Sequence, residues 1–233
     1  MLIVVGSRHD QGANAIVQQW ERWDAALLSC EDLSTPGWRY NSEDRESSRA
    51  VVSGRIVREQ AIRGVLVRRP CVLPQELMHL AAPDREFVAA EMTAFLVAWL
   101  NRLPCRVLNR PRGSALCGPG WRPQQWVMAA ANAGLQPAVT RWDIPQRTKT
   151  DPSREPYPQR EFVVVGRRCF GHAGKSEAAN VRRLAAAAGV SLLGVWLSGV
   201  EGGTEFVAAT PMPSLSDPAI ADTVAKYLLS TAA

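Results

Sequence analysis

The sequence predicts an α/β protein with a parallel sheet at its amino-terminal end. Three observations carry this. Leu2 to Val5 is a continuous apolar run, as expected of a strand buried on both faces. Ala13, Ile16, Val17 and Trp20 then recur at helical spacing, and Ala25 to Leu28 returns to an apolar run, which makes a βαβ opening with a right-handed crossover. Further on, Asn109 to Thr140 reads as a strand end, a loop rich in Gly and Pro, a helix and a second strand entry.

Leu33 to Ser48 is polar and turn-rich, with Pro36-Gly37 and charges from Glu43 to Glu46, and is expected to be an exposed loop. Arg49 to Val52 and Arg55 to Val57 flank Ser53-Gly54, a two-residue connection ending in Gly that predicts a β-hairpin. Ile62 to Val67 is a strand ending at Arg68-Arg69-Pro70. Asp84 can cap a helix through Leu100, with Phe87, Glu91, Phe95 and Trp99 as its stripe and Ala94 and Leu96 beside it. In the next helix Pro123 suits the first turn, Trp126, Val127, Ala130 and Ala131 form the apolar face, and Gly134 with Pro137 ends it. Residues 143–160 hold Pro145, Pro152, Pro156 and Pro158; with donors removed and φ fixed, they predict a linker and not a sheet. Glu161 to Val165 with Arg167 to Phe170 is a strand pair, Ala178 to Ala188 a helix, Leu192 to Leu197 and Phe206 to Ala209 strands, and Pro218 to Leu229 a final amphipathic helix.

With 233 residues and 46% hydrophobic content the chain can bury a core. No apolar run approaches the roughly 20 residues of a membrane span, and Met1 to Val5 is too short for a signal peptide, so a cytoplasmic protein away from membranes is expected. Cys30, Cys71, Cys105, Cys117 and Cys169 have no CxxC spacing, and predict neither a disulfide framework nor a zinc site. The net charge of +5 comes from scattered pairs such as Arg68-Arg69, Arg167-Arg168 and Arg182-Arg183, not from the concentrated tract that nucleic-acid binding needs. In the loop after the first strand, His9 and Asp10 read as a solvated pair.

Several segments together resemble ATP-grasp ligases, in particular RimK-type enzymes and their peptide-modifying relatives. Asn109, Pro111, Ala131, Gly134, Leu135, Pro137 and Thr140 follow that family's order, as do Arg68-Arg69 at a strand end, Arg85-Glu86 and Glu91 on a helix, and Arg160, Val164, Val165, Gly166 and Phe170 in a strand pair. The resemblance implies a pre-ATP-grasp-like parallel-sheet domain (1–104), a helix-containing connection (105–142), the Pro-rich linker (143–160) and a truncated ATP-grasp-like subdomain (161–233). Set against that family, the β-rich lobe that clamps adenine and carries phosphate-binding lysines is expected to be missing. Where the family places magnesium ligands, this chain has Trp196 for Asp, Ala208 for Glu and Thr210 for Asn; an indole and a methyl cannot coordinate a hard cation. Trp196 is expected to bury a large apolar surface there, beside Ala208.

The resemblance therefore implies a non-catalytic relative without cofactor, metal or ATP. It would bind a peptide, a small molecule or a protein partner and assist a modification pathway; a homodimer is compatible with it. The candidate ligand-binding residues are Arg68, Arg69, Asn109, Arg112, Arg122, Arg160 and Lys175. Two alternatives stand beside it. One is a divergent ATP-dependent carboxylate–amine ligase using Glu201 or Glu205, the other an anion-binding regulator using Arg68, Arg69 and Lys175. Gly171 to Ser176 ends like a P-loop, but Cys169 stands where that motif needs its first glycine.

Overall fold

The computed structural model describes residues 1–41, 43–44, 46–138, 159–171, 174–200 and 203–230. The Pro-rich segment, save Gln159 and Arg160, and Glu201 lie outside the described residues, as do His172 and Ala173 of the P-loop-like motif.

The first sheet is parallel and four-stranded, in the order β2–β1–β5–β6: β1 is Leu2–Val5, β2 Ala25–Leu28, β5 Gly64–Val67 and β6 Arg106–Leu108. The second has five strands in the order β7–β11–β10–β8–β9, with β7 Gln136–Pro137, β8 Gln159–Val165, β9 Arg168–Phe170, β10 Leu192–Val200 and β11 Gly203–Thr210. A separate hairpin joins β3 (Arg49–Val52) to β4 (Arg55–Arg58) around Ser53-Gly54. The helices are α1 (Gln11–Gln19), the single turn α2 (Cys30–Leu33), α3 (Arg85–Arg102), α4 (Pro123–Asn132), α5 (Lys175–Ala188) and α6 (Pro218–Leu229).

Strand periodicity sorts the apolar residues into layers. Ile3, Val5, Val65 and Val67 face α3 and the hairpin. Leu2, Val4 and Leu66 face the other way, into a core shared with α1, α6, and Val163, Val165 and Leu192 of the second sheet. Phe162, Val164, Leu193 and Val195 point to that sheet's far side, against α4 and α5. Helix α6 thus lies between the two sheets, packed on β5, β6 and β8, while α1 packs on β1 and β2; the indole N–H of Trp20, just after α1, donates to the Ala221 carbonyl at 3.2 Å to join the two helices. Gly64 lets α6 approach β5, since a Cβ there would stand 2.8 Å from the Leu228 Cβ. Among the described residues no helix is long and apolar enough to cross a membrane.

Two expectations need correction. The buried face of α3 is Ala89, Thr93, Leu96, Trp99 and Leu100, while Phe87 is 69% exposed and Glu91 is exposed. Each step of four advances about 400° at 3.6 residues per turn, so a strict i+4 stripe drifts some 40° per step and leaves the core face. The 33–48 segment is also not simply an exposed loop. Trp38 packs edge-on against Phe95 and Trp99, at 5.2 and 5.4 Å between centroids, and its indole donates to the Asp32 carbonyl. Ser48 is fully buried.

Candidate functional site

In an open parallel sheet ligands gather outside the carboxyl ends of the strands, where the strand order reverses. Here that point lies between β1 and β5, and two arginines occupy it. The Arg68 Nε is 3.3 Å from an Asp10 carboxylate oxygen, and its Nη1 donates to the Pro213 carbonyl at 3.1 Å, linking the first sheet to the segment after β11. Asp10 also caps α1 by accepting from the Ala13 N–H, so its carboxylate is engaged twice, while His9 is exposed. Arg69 is buried; it donates to the Cys71 carbonyl, reaches the Gly6 carbonyl and pairs with Glu76.

A cavity of about 330 Å³ opens beside this point. Pro70 follows Arg69 into its wall. Ala115, Cys117, Pro119 and Trp121 come from the loop after β6, Trp126 from α4, and 207–212 from the end of β11 and its turn. Trp121 and Trp126 meet edge-on at 4.8 Å. No lining side chain carries a charge at neutral pH: burial pushes the Cys117 thiol up to about 11, which keeps it protonated. The cleft is shaped for an apolar group. Trp126 is buried on the apolar helix face that the sequence predicts and also walls the cleft, whereas Trp121 belongs to no periodic pattern. The visible signal was Gly118-Pro119-Gly120-Trp121, a turn-rich run that holds an aromatic at a fixed position.

The other candidate residues do not converge on one site. Ala208 and Thr210 line the cleft, and the Thr210 hydroxyl accepts from the Met212 N–H at 3.2 Å. Trp196 sits opposite Ala208 in the β10–β11 register and opposite Glu161 on β8, so the three share one neighbourhood of the sheet. Trp196 is only half-buried and Ala208 is exposed, which corrects the expected deep burial; a β-bulge at Trp196/Leu197 turns the strand pair here. The Asn109 amide is spent on bonds to Ser191, Leu192 and Pro211. Arg112 caps the carboxyl end of α5 by donating to the Ala188 and Gly189 carbonyls. Arg122 is exposed at the start of α4, Arg160 reaches Glu177 at 3.4 Å, and Lys175 is exposed in the first turn of α5. The Glu177 carboxylate accepts the Gly174 N–H at 2.9 Å, so the start of α5 already holds an anion of its own.

Glu161 carries no sequence signal beyond its place at the start of an apolar strand. Its Oε1 is buried without a hydrogen-bond partner; burial pushes its carboxyl pKa up, opposed by a bond from the Ser214 backbone. It is a single carboxylate, and among the described residues no group of three or more His, Cys, Asp or Glu could hold a metal ion.

No protein-family model matches the chain, and no curated protein sequence matches it. Solved structures do. The macrocyclase MdnC bound with precursor peptide MdnA, from Microcystis aeruginosa MRC, superposes with a TM-score of 0.70 at 12% identity, covering 99% of each chain. The ATP-grasp ligase PsnB complexed with its minimal precursor gives 0.69 at 12% identity, over 97% of this chain and 98% of that one. A RimK domain ATP-grasp protein from Sphaerobacter thermophilus DSM 20745 gives 0.53 at 13% identity, over 98% of this chain and 99% of that one. The chain thus has the α/β fold of ATP-grasp ligases.

Proposed function

We propose that the protein is a non-catalytic, peptide-binding relative of the ATP-grasp ligases that serves a peptide-modification pathway. The observation that carries this reading is the uncharged cleft between Trp121, Trp126 and the end of β11. It would take an apolar side chain of an extended peptide, and two aromatic rings supply rigid contact area at low entropic cost. The solved neighbours MdnC and PsnB were each captured with a precursor peptide, which supports a peptide as the partner class.

The test is a calorimetric titration of short acetylated peptides with a single central Phe, Leu, Lys or Glu. The Phe and Leu peptides should bind, and Trp121→Ala should weaken them about tenfold, the ~1.4 kcal/mol of a lost aromatic contact. Equal binding of all four peptides would remove the cleft from the argument.

A second reading, a divergent ligase, is favoured by Glu161, whose unpartnered oxygen lies across the sheet from Trp196. It predicts ADP release from ATP and magnesium that is lost in Glu161→Gln. The non-catalytic reading predicts no release above background from either protein, with or without peptide.

A further inference from the structure

A second and wider cavity of about 700 Å³, sharing no lining residue with the tryptophan cleft, opens between the β8–β9 turn and the last turns of α6. Arg167 and Arg168 come from the turn and Lys226 from α6, and Ser191, Thr223 and Tyr227 complete the wall. All three cations are exposed, and none has an ion-pair or hydrogen-bond partner among the described residues. No carboxylate lines the cavity; Asp222, one turn before Lys226, is held at 2.6 Å by Arg22. Neighbouring arginines behave differently. Arg110 and Arg112 are consumed by backbone carbonyls at helix ends, and Arg106 donates to the Tyr227 carbonyl and the Ser230 hydroxyl.

The floor is fixed by packing. Gly166 has φ +58°, and a Cβ there would stand 2.7 Å from the Tyr227 ring. The ring's hydroxyl meets the Ser191 hydroxyl at 2.9 Å, and the Arg106 guanidinium sits 4.4 Å from the ring centroid. Arg106 and Gly166 thus both occupy the ring. A nucleobase would need a free aromatic face for stacking, and the wall offers none. The Thr223 hydroxyl donates to the Ala219 carbonyl, so what remains is concave and cationic, with two planar guanidinium forks that match the oxygens of a phosphate group.

We propose that this cavity is a binding site for a compact phosphate-bearing anion, recognised through its phosphates alone. The site is separate from the tryptophan cleft and does not depend on the peptide-binding reading.

The probe is sodium tripolyphosphate without magnesium, titrated calorimetrically into the full chain at fixed ionic strength. The expected result is saturable binding, at least about tenfold weaker in both the Arg167→Ser/Arg168→Ser and Lys226→Ser variants, as expected when charge-assisted bonds are removed. These residues are exposed, so the variants should keep the parent's thermal midpoint. ATP without magnesium should bind within about twofold of tripolyphosphate, because adenine gains no contact. Absent saturation, or equal affinity in the variants, would overturn the proposal. Tighter binding of octaglutamate or of an oligothymidylate than of tripolyphosphate would overturn it too, pointing to an acidic chain or a nucleic acid.

Discussion

Replacing Asn109 by alanine is expected to cost on the order of 4 kcal/mol of folding stability, about 1 for each of four backbone groups left without a partner in a buried place. The residue is 6% exposed, at the end of β6. Its Oδ1 accepts the Ser191 and Leu192 N–H groups at 2.9 and 3.0 Å, and its Nδ2 donates to the Leu192 and Pro211 carbonyls at 2.7 and 3.1 Å. One amide thereby satisfies the entry to β10 and the exit from β11 from a strand of the other sheet. Its φ of 53° is left-handed, which Asn tolerates better than most side chains. Asn109→Gly should lose the same bonds but recover roughly 1 kcal/mol of backbone strain relative to alanine. Chemical denaturation measures both. A loss under about 1 kcal/mol for Asn109→Ala would show that water replaces the amide, and that the two sheets do not depend on it.

Asn109 also shows where sequence reading works and where it stops. Its place in a strand–Asn–Pro pattern was legible, because local order and spacing are sequence properties. Its role was not, because all four partners lie 82 to 102 residues away, and no periodicity reports such contacts. Strands β1, β2, β5, β8 and β10 were legible from apolar runs, since burial removes alternation, whereas the short edge strands β7 and β9 carry no such run. The α3 face was misread because Phe87 and Phe95 suggested an apolar stripe, whereas the core selected the smaller Ala89 and Thr93. Thr93 accepts the Val72 N–H and donates to the Ala89 carbonyl, a buried polar role that hydropathy hides. The cleft was half legible: Ala208 and Thr210 were singled out as metal positions, but its shape depends on Trp121 and Pro70 meeting β11 from two separate loops. Arg167-Arg168 was visible as a pair, and only the fold puts Lys226 beside it.

Breaking the ion pair between Arg69 and Glu76 is the second large effect expected. The two side chains are 7% and 11% exposed. Glu76 also accepts the Leu73 N–H at 3.2 Å, and Arg69 spends its Nε on the Cys71 carbonyl at 2.9 Å, so the pair organises the whole turn after β5. Arg69→Met strands a carboxylate in a nearly dry place, at a cost of about 3–5 kcal/mol. Glu76→Leu strands the guanidinium, though its bonds to backbone carbonyls lessen the penalty. The double variant Arg69→Met/Glu76→Leu removes both charges together and should regain at least about 2 kcal/mol over the sum of the single losses. A double-mutant cycle by urea denaturation gives the coupling directly. Additive losses would mean that the charges are screened by water and that Arg69 is available to an incoming anion at the β1/β5 point. Strong coupling means that Glu76 already fills that role, so the Arg69→Met/Glu76→Leu protein should bind tripolyphosphate as well as the parent does.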